Sequence, residues 1–160
     1  LSQTNINLIS PASSLHDIGK ISISGDILNK PGRLTAEEFE IIKGHSLIGA
    51  KMLSELPLDQ QEAPLVKVAS DICRWHHERY DGSGYPDGLV GEQIPLEAQV
   101  VGLADAYDAL TGGENGRPYP HKAAVYLLCT AQSSQFSPLL LECLQEIGDR
   151  LAEALRAPEK

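Results

Sequence analysis

Apolar residues recur at intervals of three and four along the middle of the chain, which is the spacing of amphipathic α-helices. The clearest predicted helix begins after the capping box Thr35-Ala36-Glu37-Glu38 and ends near Leu56. The apolar face of this helix is predicted at Phe39, Ile42, Gly49, Met52, Leu53 and Leu56. His45 follows Ile42 by three positions, so the same spacing directs this histidine towards the core.

A second predicted helix starts near Asp59 or Ala63 and extends an apolar stripe as far as His76. His77 is turned by about 100° from His76 around the helix axis, so both histidines reach one cluster only where the helix ends. The loop that begins at Arg79 supplies this end.

The rest of the pattern is also helical. A third helix is predicted from Pro95 to about Thr111, and its spacing directs Asp105 inward; further helices follow over about 121–132 and 137–151. Residues 9–15 have the pattern of a helix end or its lead-in, whereas residues 21–32 and the glycine-rich residues 81–91 predict loops. No stretch alternates with period two, so the predicted fold class is all-α.

Length and composition predict one domain, which we expect to span residues 1–160 with its core at about 10–145. No apolar run approaches the roughly 20 residues of a membrane span, and residues 1–14 lack the pattern of a signal peptide. The chain begins with Leu1 instead of Met, so we expect it to be part of a longer protein.

Cysteine content and charge limit the compartment and the partners. Cys73, Cys129 and Cys143 lack metal-type spacing and predict reduced, mostly buried thiols in a cytoplasmic protein. The net charge of −9 argues against broad binding to nucleic acid polymers. A small phosphate-bearing substrate stays compatible with it, because metal ions and a few placed cations reverse the field inside one pocket.

The candidate chemistry lies in histidines and aspartates that the helical spacing gathers among apolar residues. Six residues form this set: His16, Asp17, His45, His76, His77 and Asp105. A lone inward histidine is more often a hydrogen-bonded core residue, but burying so many polar groups costs several kcal/mol each unless something pairs with them. The full set therefore favours a metal centre.

The number and type of ligands indicate two ions. Six ligands exceed the roughly four of one tetrahedral ion, so we expect them to be shared between two ions with Asp17 bridging. Nitrogen and oxygen ligands without thiolate suit iron or manganese, with zinc, magnesium or nickel as alternatives. A pair of such ions binds a phosphate and generates a hydroxide.

Other polar residues surround this predicted centre. Lys20 and Arg117 are candidates for holding a phosphate, against the default of a solvated surface cation. Tyr85 has two interpretations, contact with a base or phosphate and packing of its own loop. Glu78 and Asp108 are interpreted as groups that support the ligands or cap helices.

The chain from about 10 to 144 closely resembles the HD-GYP family, a branch of the HD-domain metal-dependent phosphohydrolases. The resemblance rests on several spaced motifs in order: residues 15–20 (LHDIGK), 27–32 (ILNKPG) with Leu34-Thr35, Gly44-His45, 76–78 (HHE), 81–86 (DGSGYP), Ala104-Asp105 and 108–111 (DALT). The family is all-helical, so the resemblance implies an HD-domain helical bundle with an irregular glycine-rich loop at the active site.

The resemblance also implies an activity. Active members hydrolyse cyclic di-GMP to linear pGpG or to GMP with two or three metal ions, often iron or manganese. By position, the family assigns the six residues above as metal ligands, and Lys20, Tyr85 and Arg117 as contacts to the dinucleotide. Asp17 and Lys20 would be catalytic, with Lys20 neutralising the oxyanion. Such domains usually follow a receiver or other sensory module.

The chain also departs from the family pattern. The family places further ligands on a helix that precedes the His-Asp pair, and we expect this chain to lack that helix. Residues 112–116 form a longer segment than usual, and Pro120 stands where the family has a basic residue after Arg117-Pro118-Tyr119. His121 and Lys122 are the candidates to replace it.

Three functions remain open at this point. The first is hydrolysis of cyclic di-GMP. The second is an impaired module that binds cyclic di-GMP or a diguanylate cyclase domain, which the departures favour. The third is an HD-type hydrolase of a different phosphate ester, against which Tyr85 and Arg117 argue because they match the dinucleotide-binding motifs of the branch.

Overall fold

A computed structural model of the chain describes residues 2–112 and 118–156, and these form α-helices and short 3₁₀ turns without a β-strand. The helices are α1 (Gln3–Ser13), α2 (Gly25–Leu28), α3 (Ala36–Ser54), α4 (Leu58–Gln61), α5 (Pro64–Trp75), α6 (Leu96–Gly112), α7 (His121–Cys129) and α8 (Pro138–Arg156). The predicted all-α fold is therefore confirmed. No helix within these ranges has the length and apolar character needed to cross a bilayer.

Local sequence signals set the ends of the two helices that carry histidines. At the start of α3, the Thr35 hydroxyl accepts a hydrogen bond from the Glu38 N–H, and the Glu38 carboxylate accepts one from the Thr35 N–H. Pro64 occupies the first turn of α5, where its missing N–H costs nothing. α5 ends at Trp75, so His76 and His77 lie where the helix stops.

The predicted loop over residues 21–32 is partly wrong. A 3₁₀ turn covers Ile18–Ser22, and the short helix α2 follows. The physical reason is a cap that the loop composition concealed: the Ser24 hydroxyl accepts a hydrogen bond from the Asp26 N–H. Helix α7 also ends three residues before the predicted boundary, and α8 continues beyond its predicted end.

Two apolar clusters build the core. The first joins α1, α5 and α6 through Ile9, Ala12, Ala69, Ile72 and Val101. The second joins α6, α7 and α8 around Leu103, Tyr107, Leu128 and Phe136. Helix α6 belongs to both clusters, so it fixes the first helices of the chain relative to the last two.

The face that α3 buries differs from the predicted one. Phe39 and Met52 are 47% and 38% exposed, whereas His45, Ser46, Gly49 and Ala50 are buried. The reason is a close approach: a Cβ atom at Gly19 would collide with the carbonyl oxygen of His45. The close packing of the 3₁₀ turn against α3 at Gly19 and Gly49 therefore sets which face of α3 is buried.

The prediction of mostly buried thiols is also wrong in part. Cys73 is buried, Cys129 is half-buried and Cys143 is exposed, because its position on α8 faces solvent.

Candidate metal centre

Four separate segments deliver the candidate ligands to one place. His16 and Asp17 follow α1 directly, and His45 lies in the middle of α3. His76 caps the C-terminal end of α5, where its N–H donates to the Ile72 carbonyl. Asp105 comes from α6.

The structure brings four of the six predicted ligands into one compact group. One ligand atom from each of Asp17, His45, His76 and His77 lies within 4.8 Å of the others. Helix α5 ends at Trp75, directly before His76 and His77. Both histidines therefore reach the same group, as their sequence spacing required. His45 and His76 are each only 1% exposed, so the group is deep in the fold.

Backbone carbonyls orient three of the histidine rings. The Nδ1 atoms of His16, His45 and His76 lie 2.7, 2.7 and 2.8 Å from the carbonyl oxygens of Ser13, Ile42 and Ile72. In a neutral ring, the Nδ1–H donates to the carbonyl, and the lone pair of Nε2 is left to bind elsewhere. This second hydrogen bond is the usual arrangement behind a metal-ligating histidine.

The Nε2 lone pairs that these hydrogen bonds leave free lie close to one another and to the carboxylate of Asp17. His45 Nε2 lies 3.4 Å from His76 Nε2 and 3.3 Å from Asp17 Oδ1. With Nδ1 protonated in both rings, no hydrogen stands between these atoms, and Asp17 Oδ1 is buried without a hydrogen-bond partner among the described residues. Buried acceptors that converge without a donor are costly unless a cation joins them. The residues present therefore fit a divalent metal.

The other two predicted ligands lie at the edge of the group. His16 Nε2 is 3.2 Å from Asp17 Oδ2 and 3.8 Å from Asp105 Oδ1. Its ring also meets the ring of His76 edge-on, with centroids 5.1 Å apart. The two oxygens of Asp17 thus face different histidines, Oδ1 towards His45 and Oδ2 towards His16.

Burial and hydrogen bonding set the charges of the group. Burial lowers the pKa of His76 to about 4 and also lowers the pKa of His45, which keeps both rings neutral at pH 7. Burial alone would raise the pKa of Asp17, but hydrogen bonds from Lys20 and from His16, whose own pKa the contact with Asp17 raises, outweigh it and hold the Asp17 pKa well below its ordinary value. Neutral imidazoles beside an ionised carboxylate are the forms that bind metals.

Two of the predicted substrate contacts lie beside this group. Lys20 Nζ is 2.7 Å from Asp17 Oδ2. The ring of Tyr85 stacks on the ring of His77 with centroids 4.8 Å apart. Arg117, the third predicted contact, lies outside the described residues. Pro120, where the family has a basic residue, precedes α7 as its N-cap.

The loop that carries Tyr85 is held by a carboxylate whose role the sequence did not reveal. Glu78 is 5% exposed, and its oxygens accept hydrogen bonds from the N–H groups of Asp87, Gly88 and Leu89 at 2.7, 3.0 and 3.0 Å. It is therefore not a helix cap. The position of Glu78 directly after the two histidines was visible, but no local pattern identifies loop amides as its partners.

A second close approach also escaped the sequence pattern. A Cβ atom at Gly102 would collide with the carbonyl oxygen of His76. Gly102 thus lets α6 lie directly against the end of α5, three residues before Asp105. Asp108, which the sequence offered as a supporting group, is exposed on α6.

Comparison with known proteins gives a consistent family. The sequence profile of the HD domain matches residues 2–139. Three curated relatives cover most of the chain: a cyclic di-GMP phosphodiesterase response regulator of Xanthomonas campestris, 43% identical over 90% of the chain, a cyclic di-GMP phosphodiesterase of Thermotoga maritima, 37% identical over 98%, and a 3'3'-cGAMP-specific phosphodiesterase of Vibrio cholerae, 35% identical over 98%.

The chain spans 37%, 41% and 29% of the lengths of these three relatives. The profile match extends from α1 into the first turn of α8, so it includes every segment that contributes to the histidine and aspartate group. The resemblance inferred from the motifs is confirmed, and the chain belongs to the HD domain family, in its HD-GYP branch.

Proposed function

We propose that this chain is a metal-dependent phosphodiesterase that hydrolyses cyclic di-GMP to linear pGpG or GMP. The observation that carries the proposal is the convergence of Asp17, His45, His76 and His77 within 4.8 Å. The carbonyl-bound Nδ1 atoms of His45 and His76 add to it, because they leave both Nε2 lone pairs free, 3.4 Å apart, with Asp17 Oδ1 3.3 Å from His45 Nε2.

We infer that the group holds two divalent ions, iron or manganese first, with zinc, magnesium or nickel as alternatives. Asp17, His45, His76 and His77 would supply the central ligands, and His16 and Asp105 would complete the set from the edge. Bound there, divalent ions supply Lewis acidity towards a phosphate and lower the pKa of water. The unsatisfied Asp17 Oδ1 supports this inference, since a buried carboxylate oxygen needs a partner.

Two residues of the chain would act on the phosphate group directly. Lys20 uses one N–H on Asp17 Oδ2 and has others free to donate to a phosphate oxygen. Its positive charge would offset the negative charge that grows on the phosphate during hydrolysis. Asp17, fixed by Lys20 on one side and facing His45 on the other, would stay ionised and oriented throughout.

The remaining substrate contacts would come from the loop and from the segment before α7. Tyr85 lies over His77, so a substrate at the histidine group would meet its ring or hydroxyl. Arg117 stays a predicted contact to the dinucleotide.

The names of relatives support a cyclic dinucleotide as substrate and also a second candidate. Relatives 43% and 37% identical are named for cyclic di-GMP, whereas the relative 35% identical is named for 3'3'-cGAMP. Hydrolysis of 3'3'-cGAMP at the same site is therefore the alternative. The impaired binding module, with cyclic di-GMP or a diguanylate cyclase domain as its partner, has no support among the described contacts.

Regulation and location form a further part of the proposal. We infer that the full-length protein carries a receiver or sensor domain and acts in the cytoplasm in two-component signalling. One relative is named a response regulator, which supports this arrangement.

The test is chromatography of reaction products from the purified chain, supplied with iron(II) or manganese(II) without oxygen. We expect linear pGpG or GMP from cyclic di-GMP, at a higher kcat/KM than for 3'3'-cGAMP. A higher kcat/KM for 3'3'-cGAMP would establish the second candidate. Binding of cyclic di-GMP without any product from either dinucleotide would contradict the proposed enzyme.

A further inference from the structure

An exposed aromatic and a cation extend the site outward along α3. The Lys43 ammonium lies 5.2 Å from the centroid of the Phe39 ring and 5.5 Å from the centroid of the Tyr85 ring. Phe39 is 47% exposed and takes no part in either core cluster. Tyr85 in turn stacks on His77, so the three side chains lead from the histidine group to solvent.

Lys43 is available to a ligand although it has an ion-pair partner. Its ammonium lies 2.6 Å from the Glu40 carboxylate, and the side chains of Lys43 and Glu40 are 28% and 68% exposed. Such exposed pairs contribute little to stability and rearrange readily. The ammonium also has three N–H donors, and one carboxylate oxygen occupies a single one of them.

A cyclic dinucleotide presents two phosphates and two bases, and hydrolysis of one bond engages only one phosphate. The other phosphate carries a full negative charge and approaches a chain whose net charge is −9. It therefore needs a positively charged side chain close to the site. The base of the adjoining nucleoside has a face suited to stacking on an aromatic ring.

We propose that Phe39, Lys43 and Tyr85 form a subsite for the half of the cyclic dinucleotide that is not being cleaved. Lys43 pairs with the second phosphate, and the exposed face of Phe39 stacks on the adjoining base. Tyr85 connects this subsite to the histidine group through His77. The inference rests on the proposed phosphodiesterase function and adds to it Phe39 and Lys43, which none of the matching motifs contains.

The first test compares Lys43→Gln with Lys51→Gln, which removes the same charge from the same helix. Lys51 pairs with Glu55 at the opposite end of α3, and its side chain is 73% exposed. KM and kcat are measured for cyclic di-GMP and for bis(p-nitrophenyl) phosphate, a diester with one phosphate. We expect Lys43→Gln to raise KM for cyclic di-GMP about tenfold with little change in kcat. Turnover of the small diester stays unchanged.

The second test concerns the aromatic surface. Phe39→Leu should raise KM for cyclic di-GMP, because it removes the ring, and Phe39→Tyr should restore the wild-type value. Neither change should affect the small diester, because it lacks the second phosphate and base that this subsite is proposed to bind. Equal KM values in Phe39→Leu and Phe39→Tyr would overturn the stacking role.

These measurements distinguish an error in the proposed subsite from an error in the proposed function. If the wild type hydrolyses cyclic di-GMP and Lys43→Gln and Lys51→Gln have equal KM values, only the phosphate contact is overturned. Wild-type protein that cleaves the small diester but neither cyclic dinucleotide would refute the proposed substrate class, and the subsite with it.

Discussion

At the residue scale, the metal centre depends on which atom of each side chain is free. The Nδ1 atoms of His45 and His76 are occupied by carbonyl oxygens, which leaves Nε2 as the ligand atom in both. Helical spacing predicted that these two histidines point inward. It could not predict the ring orientation, because the orienting carbonyls belong to residues whose side chains carry no such information.

Lys20 is expected to affect turnover more than metal binding. Its ammonium lies beside Asp17 but is not a ligand, so Lys20→Gln removes a phosphate-stabilising charge and leaves the ligand set intact. We predict a fall in kcat of about 100-fold on cyclic di-GMP with unchanged metal content. Lys67→Gln, at a surface pair with Glu62, is the matched control. Loss of metal in Lys20→Gln would show that Lys20 maintains the centre itself.

At the element scale, the sequence predicted where helices begin better than it predicted contacts between elements. The capping box at Thr35 and the proline at the start of α5 are local signals, and both helices begin where expected. The exposure of Phe39 was not predictable, because the buried face of α3 is set by the 3₁₀ turn that packs against it. A pattern within one element contains no information about the shape of its neighbour.

Glu78 connects the end of α5 to the glycine-rich loop, and its removal should loosen that loop. Glu78→Gln replaces an acceptor of three N–H groups with a side chain that brings its own donor. We predict a loss of about 1–3 kcal/mol in the free energy of unfolding, measured in urea. Amide hydrogen exchange at residues 87–89 should also become faster.

The control for this change is Glu92→Gln in the same loop region. The Glu92 carboxylate accepts one exposed hydrogen bond from the Tyr80 hydroxyl, so its loss should cost far less. Equal destabilisation by the two variants, or unchanged exchange in Glu78→Gln, would refute the anchoring role.

Two facing carboxyl groups between α5 and α6 should make stability depend on pH. Burial, together with the nearby carboxylate of Glu97, raises the pKa of Asp71 to about 6. In the unfolded chain this pKa is about 3.9, so the folded state binds the proton more tightly. The resulting stabilisation is fully present below about pH 3.9 and is lost as pH rises through about 6.

Asp71→Asn cannot ionise, so it should be more stable than the wild type at pH 8, by about 1 kcal/mol after allowance for solvent screening. The difference should shrink at pH 5. Urea unfolding of both proteins at the two pH values measures it, with the exposed Asp59→Asn as control. A stability difference that does not change between pH 5 and pH 8 would contradict the raised pKa.

At the scale of the whole molecule, the ligands come from segments that only the tertiary fold unites. Helix α6 packs into both apolar clusters and also carries Asp105, so the same helix contributes to the core and to the metal centre. The sequence indicated which residues share the centre through their number and their inward spacing. It did not separate the four central ligands from His16 and Asp105, since that distinction is a matter of a few ångströms.

Removing metal should therefore weaken the entire fold. An ion that binds only the folded chain at 100 times its Kd contributes about 2.7 kcal/mol. For a chain of this size, chelation should lower Tm by about 5–10 °C, measured by circular dichroism with and without EDTA. The same treatment should leave the Tm of Asp17→Asn unchanged, and an equal shift in that variant would place the metal elsewhere.

The most direct test of the metal centre is the metal content of the purified chain after anaerobic loading with iron(II) or manganese(II) and gel filtration. We predict that the wild type and the surface variant Asp59→Asn retain metal, whereas Asp17→Asn loses most of it while keeping its helical circular dichroism spectrum. Equal metal content in Asp17→Asn and the wild type would contradict the assignment of this group as the metal centre.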